Sequence, residues 1–256
     1  RRANKDNLLL YSAQLLQLIG LKDEIYITGS MLQLHKERCE KEHQYSLRTR
    51  VINPKTGKLL KISTPFEKLR QKKAEVLNIA TAFEKYAISK NWGASFITFT
   101  LPPMYHSNPA NGHNTFNGAT PQECRKQLNK MWELLRSNLA KAGINAGDDF
   151  IGFNTKEVQK DSTLHAHILI FHGEENRAII EEKVKAICNK FKINFDCRKV
   201  DEPEKVKFYL VKYLFKSFEY NEKDDLNFSG KTLTKEQIAA HKNMAVRSFY
   251  GVRGYS

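Results

Sequence analysis

The sequence lacks several patterns that define common classes of protein. Its four cysteines include no CxxC pair and no regular spacing, so we expect reduced thiols and no disulfide framework. No apolar run approaches the roughly 18 residues of a membrane span, and the start of the chain shows no signal peptide. A G-x-x-x-x-G-K-[ST] phosphate loop is also missing. These absences predict a soluble intracellular protein, and the start at Arg1-Arg2 without Met indicates a fragment of a longer chain.

Acidic residues are scarce in one segment of this basic chain. The net charge is +14 at neutral pH, and from Arg48 to Lys73 nine Lys or Arg residues accompany a single acid, Glu67. Such a concentration of positive charge favours a polyanion, most simply nucleic acid, through phosphate contacts and counterion release. A solvated basic loop explains the segment equally well, so both interpretations stay open.

The hydrophobic pattern changes near residue 90. Residues 1–90 are predicted to be a helical region with a basic turn at NPKTGK. Residues 91–256 alternate predicted helices and strands, and only seven residues separate Glu157 from His165, which predicts a hairpin. This order predicts an α+β domain with a mainly antiparallel sheet. The predicted strands are SFITFTLPP, DDFIGFNTKEVQ, LHAHILIFH, KINFDCRKV and the closing AVRSFYGV.

Two histidines lie two residues apart on a predicted strand. In LHAHILIF, the side chains of His165 and His167 point to one face, because successive strand residues alternate between faces. Glu157 has the same parity, and a pairing of 157 with 165 across the hairpin would bring its carboxylate to that face. A carboxylate and two imidazoles suit Mg²⁺ or Mn²⁺ acting on a phosphate, or a catalytic zinc. Without Glu157, two polar residues on a wet sheet face would explain the histidines about as well.

A four-residue pattern occurs twice in FYLVKYLFKS, residues 208–217. On a helix, Tyr209, Lys212, Tyr213 and Lys216 share one stripe. Taken alone, this pattern is typical of an ordinary amphipathic helix. Beside a metal, a tyrosine hydroxyl can attack phosphorus to form a covalent ester, and the lysines can stabilise the developing negative charge. We therefore expect both tyrosines and both lysines to be catalytic, with two nucleophiles allowing two successive transfers.

These motifs resemble those of a known superfamily. HAH at residues 165–167 resembles the His-hydrophobe-His motif of the HUH endonucleases, and YLVKYLFK at 209–216 resembles their two-tyrosine motif. FITFTLPPMYH at 96–106 resembles the first conserved strand of their phage replication branch, the bacteriophage replication gene A family of rolling-circle initiators. The likeness covers about residues 65–256. The histidines precede the tyrosines, as in replication proteins and two-tyrosine transposases.

The resemblance implies a central antiparallel sheet of about five strands, flanked by helices, with the metal on its central strands. It implies that Glu157, His165 and His167 hold Mg²⁺ or Mn²⁺. The two tyrosines would then nick and rejoin single-stranded or hairpin origin DNA through a 5′-phosphotyrosine. No helicase motif is present, so unwinding is expected to fall to a host helicase in the cytoplasm of a bacterial host cell, or to a missing part of the chain. We expect a monomer with no membrane partner.

Two other functions remain open from the sequence. A two-tyrosine transposase would use the same active site on different DNA ends, and a non-catalytic module would use only the basic segment to bind nucleic acid. His106 and His113, in the loop after the first strand, are further candidates for contact with DNA or metal, although loop histidines are usually solvated. Thr98 is another candidate neighbour of the metal, but its strand propensity alone explains it.

Overall fold

The computed structural model of the chain describes residues 2–21, 24–109, 111–200, 242, 245–246 and 249–250. None of the helices in these ranges has the length and hydrophobicity needed to cross a membrane. The helices are α1 (Arg2–Leu15), α2 (Gly29–Arg48), α3 (Pro65–Ser89), α4 (Pro121–Lys141) and α5 (Arg177–Phe191). The strands are β1 (Arg50–Ile52), β2 (Leu59–Lys61), β3 (Gly93–Thr100), β4 (Phe150–Val158), β5 (Leu164–His172) and β6 (Cys197–Val200).

The main sheet has the strand order β4-β5-β3-β6, and every neighbouring pair of strands is antiparallel. The predicted α+β class with a mainly antiparallel sheet is therefore confirmed. About five strands were expected, and the described residues form four in this sheet. The predicted division into a helical region at 1–90 and a domain at 91–256 stays a prediction.

Alternation along the strands gives the main sheet two apolar faces. Phe96, Phe153 and Leu169 lie on one face, where Val76 and Ala80 of α3 pack against them. The opposite face packs against α4 and α5, and the buried residues of that core include Ile97, Phe99, Leu128, Leu135, Ile168, Ile170, Ile180 and Val184. Helices on both faces leave the ends of the sheet as the places where a site can open to solvent.

Two long helices begin with matching capping signals. Thr120 accepts from the backbone N–H of Glu123, while the Glu123 carboxylate accepts from the N–H of Thr120 at 2.8 Å. Thr64 and Glu67 form the same reciprocal pair at the start of α3. A proline follows each threonine, where its missing N–H costs no helical hydrogen bond. The two boxes fix where α3 and α4 begin.

The structure differs from the sequence prediction in two segments. The basic turn at residues 53–58 is the tip of a separate hairpin, because β1 and β2 pair on either side of it. Residues 245–246 and 249–250 are helical, although a closing strand was predicted there. Their side chains, Ala245, Val246, Phe249 and Tyr250, are all buried, and a spacing of four residues places them on one side of a helix. That helical period outweighs the strand propensity of the aromatic and β-branched residues.

A third histidine of β5, His172, has a structural role. Its side chain is fully buried, with Nε2 2.8 Å from the Ser95 hydroxyl and Nδ1 2.8 Å from the carbonyl of Gly173. Burial lowers the pKa of the His172 ring, which favours its neutral form. A neutral ring donates from Nδ1 to the carbonyl and accepts from the hydroxyl at Nε2, so both ring nitrogens are satisfied within the fold.

Candidate metal centre

The β4–β5 hairpin brings Glu157, His165 and His167 to one end of the main sheet. Glu157 is paired directly with His165, and His167 is paired with Thr155 two residues further along the ladder. Residues paired directly across two strands point to the same face of a sheet, and so do residues two apart on one strand. All three side chains therefore lie on the face that α3 covers. The structure thus brings together the three residues whose parity in the sequence predicted a common face.

The polar atoms of the three side chains converge. Nε2 of His167 lies 3.0 Å from Oε2 of Glu157, and Nε2 of His165 lies 3.3 Å from the same oxygen. The two imidazole centroids are 4.3 Å apart with the rings inclined at 65°. Side-chain exposure is 12% for Glu157, 17% for His165 and 7% for His167. The cluster is therefore largely enclosed by protein but still accessible from solvent.

The outer nitrogen of each ring has its own contact. Nδ1 of His167 lies 3.3 Å from the Thr98 hydroxyl on β3, and Phe96 stacks on the same ring with centroids 5.4 Å apart. Nδ1 of His165 lies 3.2 Å from the side-chain amide of Gln159. An imidazole that binds a metal through Nε2 carries its proton on Nδ1, and contacts of this kind orient the ring. Thr98 can accept that proton directly, whereas Gln159 presents its amide nitrogen to His165 and would accept only after its side-chain amide turns over to present the oxygen.

The set of donors fits a divalent cation. One nitrogen or oxygen from each of the three residues lies within 4.8 Å of the other two, which is close enough for a shared ion. Two imidazole nitrogens and one carboxylate oxygen occupy three coordination positions, so the remaining positions are free for water or substrate oxygens. An open coordination sphere of this kind suits a catalytic ion better than a purely structural one.

The turn that joins β4 to β5 is buried. Asp161, Ser162 and Thr163 are 2%, 0% and 0% exposed, although hairpin turns usually lie at the surface. The Asp161 carboxylate accepts from the N–H of Thr163 at 3.0 Å and lies 3.0 Å from Nδ1 of His106. The other His106 nitrogen lies 3.2 Å from the carbonyl of Leu101. The loop after β3 is thereby fastened to the hairpin that carries the three candidate ligands.

Residues before α2 cover the same turn. The N–H of Tyr26 donates to the carbonyl of Lys160 at 2.7 Å, and the Ser162 hydroxyl donates to the carbonyl of Tyr26. Gly20 has φ of +100°, and a Cβ there would lie 3.1 Å from Cβ of Asp161 and closer still to the side chain of Asn108. The N-terminal region therefore holds the hairpin at its turn.

We predict that Asp161→Ala lowers the free energy of unfolding by about 2 to 3 kcal/mol, because buried donors of His106 and Thr163 lose their acceptor. Urea denaturation followed by circular dichroism measures the change. Asp148→Ala removes an exposed acid and serves as the control, with an expected change within about 0.5 kcal/mol. Equal stability of the two variants would show that the buried turn does not hold the hairpin.

The remaining predicted residues are placed as follows. Both ring nitrogens of His106 contact other groups, the Asp161 carboxylate and the Leu101 carbonyl, and His113 is exposed. Neither histidine joins the cluster in the described structure. Gln159 was not singled out in the sequence, although it precedes the turn and lies two residues from Glu157. The four predicted catalytic residues of the tyrosine helix lie outside the described residues: Tyr209, Lys212, Tyr213 and Lys216.

The sequence that carries the cluster is similar to a known protein family. The sequence profile of the bacteriophage replication gene A protein family matches residues 11–247, which is most of the chain and includes all three candidate ligands. The chain belongs to this family. The match begins within α1, so family membership extends further toward the N-terminus than the motif resemblance at 65–256.

Individual relatives are similar to limited parts of their own length. A replication protein of Haemophilus phage HP1 is 28% identical over 211 residues, covering 76% of this chain and 26% of the relative. Probable replication endonucleases from prophage-like regions of Shigella boydii serotype 4 and Escherichia coli O6:H1 are each 29% identical over 124 residues, covering 48% of this chain and 14% of the relative. No solved structure matches the chain. The chain therefore corresponds to about a quarter or less of these family members.

Proposed function

We propose that this chain nicks and rejoins single-stranded origin DNA as part of a rolling-circle replication initiator. One observation carries the proposal: Glu157, His165 and His167 converge in a member of a phage replication family. The names of two relatives, probable replication endonucleases, agree with a DNA-cutting activity. DNA is the substrate class that such a family favours, and the basic charge of +14 is consistent with it.

The three clustered side chains would hold Mg²⁺ or Mn²⁺. When bound, the cation would polarise a phosphodiester oxygen and make the phosphorus easier to attack. The protein contributes orientation, because Phe96 packs on His167 while Thr98 and Gln159 contact the outer nitrogens of the two rings. Ligands fixed before substrate binding avoid the cost of ordering them during the reaction.

Tyr209 and Tyr213 are proposed as the nucleophiles. The phenol oxygen forms a bond to phosphorus while the bond from phosphorus to the 3′ oxygen breaks. The phenol proton passes to water, and the departing 3′ oxygen takes a proton from water to become a hydroxyl. Lys212 and Lys216 would stabilise phenolate and the negative charge that develops on the phosphate. Since one phosphoester replaces another, rejoining by the reverse reaction needs no ATP.

The biological setting follows from the same proposal. The free 3′ hydroxyl would prime DNA synthesis, and the second tyrosine would cut the regenerated origin after one round. Single-stranded or hairpin origin DNA in the bacterial cytoplasm is the substrate, and a host helicase would separate the strands. We propose that the chain acts as a monomer.

A covalent adduct tests this function without knowledge of the origin sequence. The chain is incubated with a randomised single-stranded DNA library, with Mn²⁺ or with a chelator, and then boiled in detergent. We expect DNA that remains attached to protein only with Mn²⁺, joined through its 5′ phosphate. Binding of the library with no adduct under any metal condition would instead favour a non-catalytic nucleic-acid-binding module.

A further inference from the structure

The β1–β2 hairpin projects from the fold with an apolar surface. All six residues of its two strands are exposed. The four aliphatic residues are 49%, 62%, 63% and 43% exposed, in the order Val51, Ile52, Leu59 and Leu60. A two-stranded hairpin is only marginally stable alone in water, and contiguous exposed aliphatic side chains usually mark a surface that meets a partner.

The same hairpin is strongly basic. Five Lys or Arg residues and no Asp or Glu occur from residue 48 to residue 61. Lys55 and Lys58 stand at the tip and are exposed, while Lys61 at the base pairs with Glu67 at 3.0 Å. Positive charge at the end of a narrow ribbon complements a polyanion with grooves, and B-form DNA has a major groove wide enough for a two-stranded ribbon.

The tip of the hairpin is shaped in advance. The Asn53 side chain accepts from the backbone N–H of Lys55 at 2.9 Å, and the N–H of Gly57 donates to the Asn53 carbonyl at 2.8 Å. Gly57 has φ of +66°, a conformation that glycine adopts at little cost. The N–H of Asn53 also donates to the carbonyl of Lys58 at 2.9 Å, which closes the loop. The two tip lysines are therefore held on a fixed turn instead of a loose loop.

The hairpin is followed directly by the N-terminal end of α3, and this end of the helix lies toward the candidate metal centre. Only residues 90–92 separate α3 from β3, and the N–H of Trp92 donates back to the carbonyl of Ala87 at 2.9 Å. A turn this tight places α3 antiparallel to β3, and therefore also to β4, which is parallel to β3. Phe83 of α3 packs on Phe153 with ring centroids 4.8 Å apart. From Phe153 to Glu157 is about 13 Å along a strand, or roughly nine residues of helix. By this estimate the turns of α3 before Ala74 extend past the metal ligands.

We infer that the β1–β2 hairpin is an arm that binds duplex DNA next to the single strand held at the candidate metal centre. Lys55 and Lys58 contact backbone phosphates, and Ile52 and Leu59, paired on one face of the ribbon, pack against the groove. The inference rests on the proposed function, because that function supplies DNA as the substrate. It adds a second contact: the arm binds the paired region that adjoins the strand being cut.

The double variant Lys55→Ala/Lys58→Ala tests the arm with the full 256-residue chain. The probe is a fluorescent duplex of random sequence that carries a single-stranded 3′ extension, and anisotropy measures its affinity. Loss of two phosphate contacts is expected to weaken binding on the order of tenfold and to reduce the slope of log affinity against log salt by about 2. Adduct formation on single-stranded DNA should stay at the wild-type level.

The control removes the same charge elsewhere. Lys141→Ala/Lys185→Ala changes two exposed lysines on the helices of the opposite face, and we expect wild-type affinity and salt slope. Ile52→Ser/Leu59→Ser is expected to weaken binding of the duplex probe and to leave binding of the single strand unchanged.

Several results would overturn the proposal that the β1–β2 hairpin binds duplex DNA. One is an unchanged affinity and salt slope in the tip variant. Another is an equal loss on single-stranded DNA. A third is unchanged DNA binding together with lost binding to phosphatidylglycerol vesicles, which would assign the hairpin to a membrane surface. Failure of the proposed function is distinguishable, because it would leave wild-type protein without adduct whatever the arm does.

Discussion

Replacing both Tyr209 and Tyr213 with phenylalanine is expected to abolish the covalent protein–DNA adduct, whereas each single replacement retains part of it. The phenol oxygen is the atom proposed to bond to phosphorus, and phenylalanine removes that atom while keeping the ring. We expect the double variant to form adduct at least about 1,000-fold more slowly than wild type, because no second nucleophile remains. Gel analysis of labelled DNA after boiling in detergent measures the adduct.

A matched control separates loss of the nucleophile from loss of a tyrosine in general. Tyr45 on α2 is 63% exposed, and Tyr45→Phe should leave the adduct unchanged. Binding of single-stranded DNA by the double variant should remain close to wild type, since its basic residues are untouched. Adduct formation by the double variant at the wild-type rate would contradict the assignment of these tyrosines.

Replacing Glu157 with glutamine is expected to remove metal binding and metal-dependent cleavage together. Glutamine keeps the shape of the side chain but loses the negative charge that both histidine Nε2 atoms face at 3.0 and 3.3 Å. We expect adduct formation with Mn²⁺ to fall by at least about 100-fold. A second readout does not depend on activity: at about 100 times its Kd, the metal should stabilise wild type by about 2.7 kcal/mol and the variant by much less.

The control for this change is Glu133→Gln, an exposed glutamate on α4. It makes the same chemical substitution away from the cluster, so both the adduct and the stabilisation by Mn²⁺ should match wild type. Urea denaturation without metal should show that Glu157→Gln remains folded. A variant that keeps full stabilisation by Mn²⁺ would place the ion elsewhere in the protein.

The strand that carries the histidines could be predicted closely because its signals are local. LHAHILIFH gives β5 at Leu164–His172, and the short spacing to Glu157 gives the hairpin and its register. Parity then places the three side chains on one face without any knowledge of the remaining fold. The family resemblance rested on the HAH motif of this strand together with YLVKYLFK and FITFTLPPMYH, and the match to residues 11–247 confirms the family.

The covering of the hairpin turn could not be predicted in this way. Residues 159–163 have the polar composition of an exposed turn, yet Asp161 and Ser162 are buried by segments far away in the sequence. The contacts of Asp161 with His106 and of Ser162 with Tyr26 join residues 55 and 136 positions apart. No local pattern encodes such pairs, because each residue alone resembles an ordinary surface residue.

The small hairpin was missed for a different reason. Its strands have three residues each, and their exposed side chains show no alternation between a buried and a solvent face. The turn residues Asn53 and Gly57 were visible in the sequence, but strands this short give no pattern to either side of them. The charge of the segment was visible, whereas its shape as a ribbon was not.

Crystals of the chain grown with Mn²⁺ would test the central claim most directly, through anomalous scattering from the ion. We predict one strong peak bonded to Oε2 of Glu157 and to Nε2 of both His165 and His167, with further positions taken by water. A peak bound to other residues, or no peak at these three side chains at saturating Mn²⁺, would contradict it.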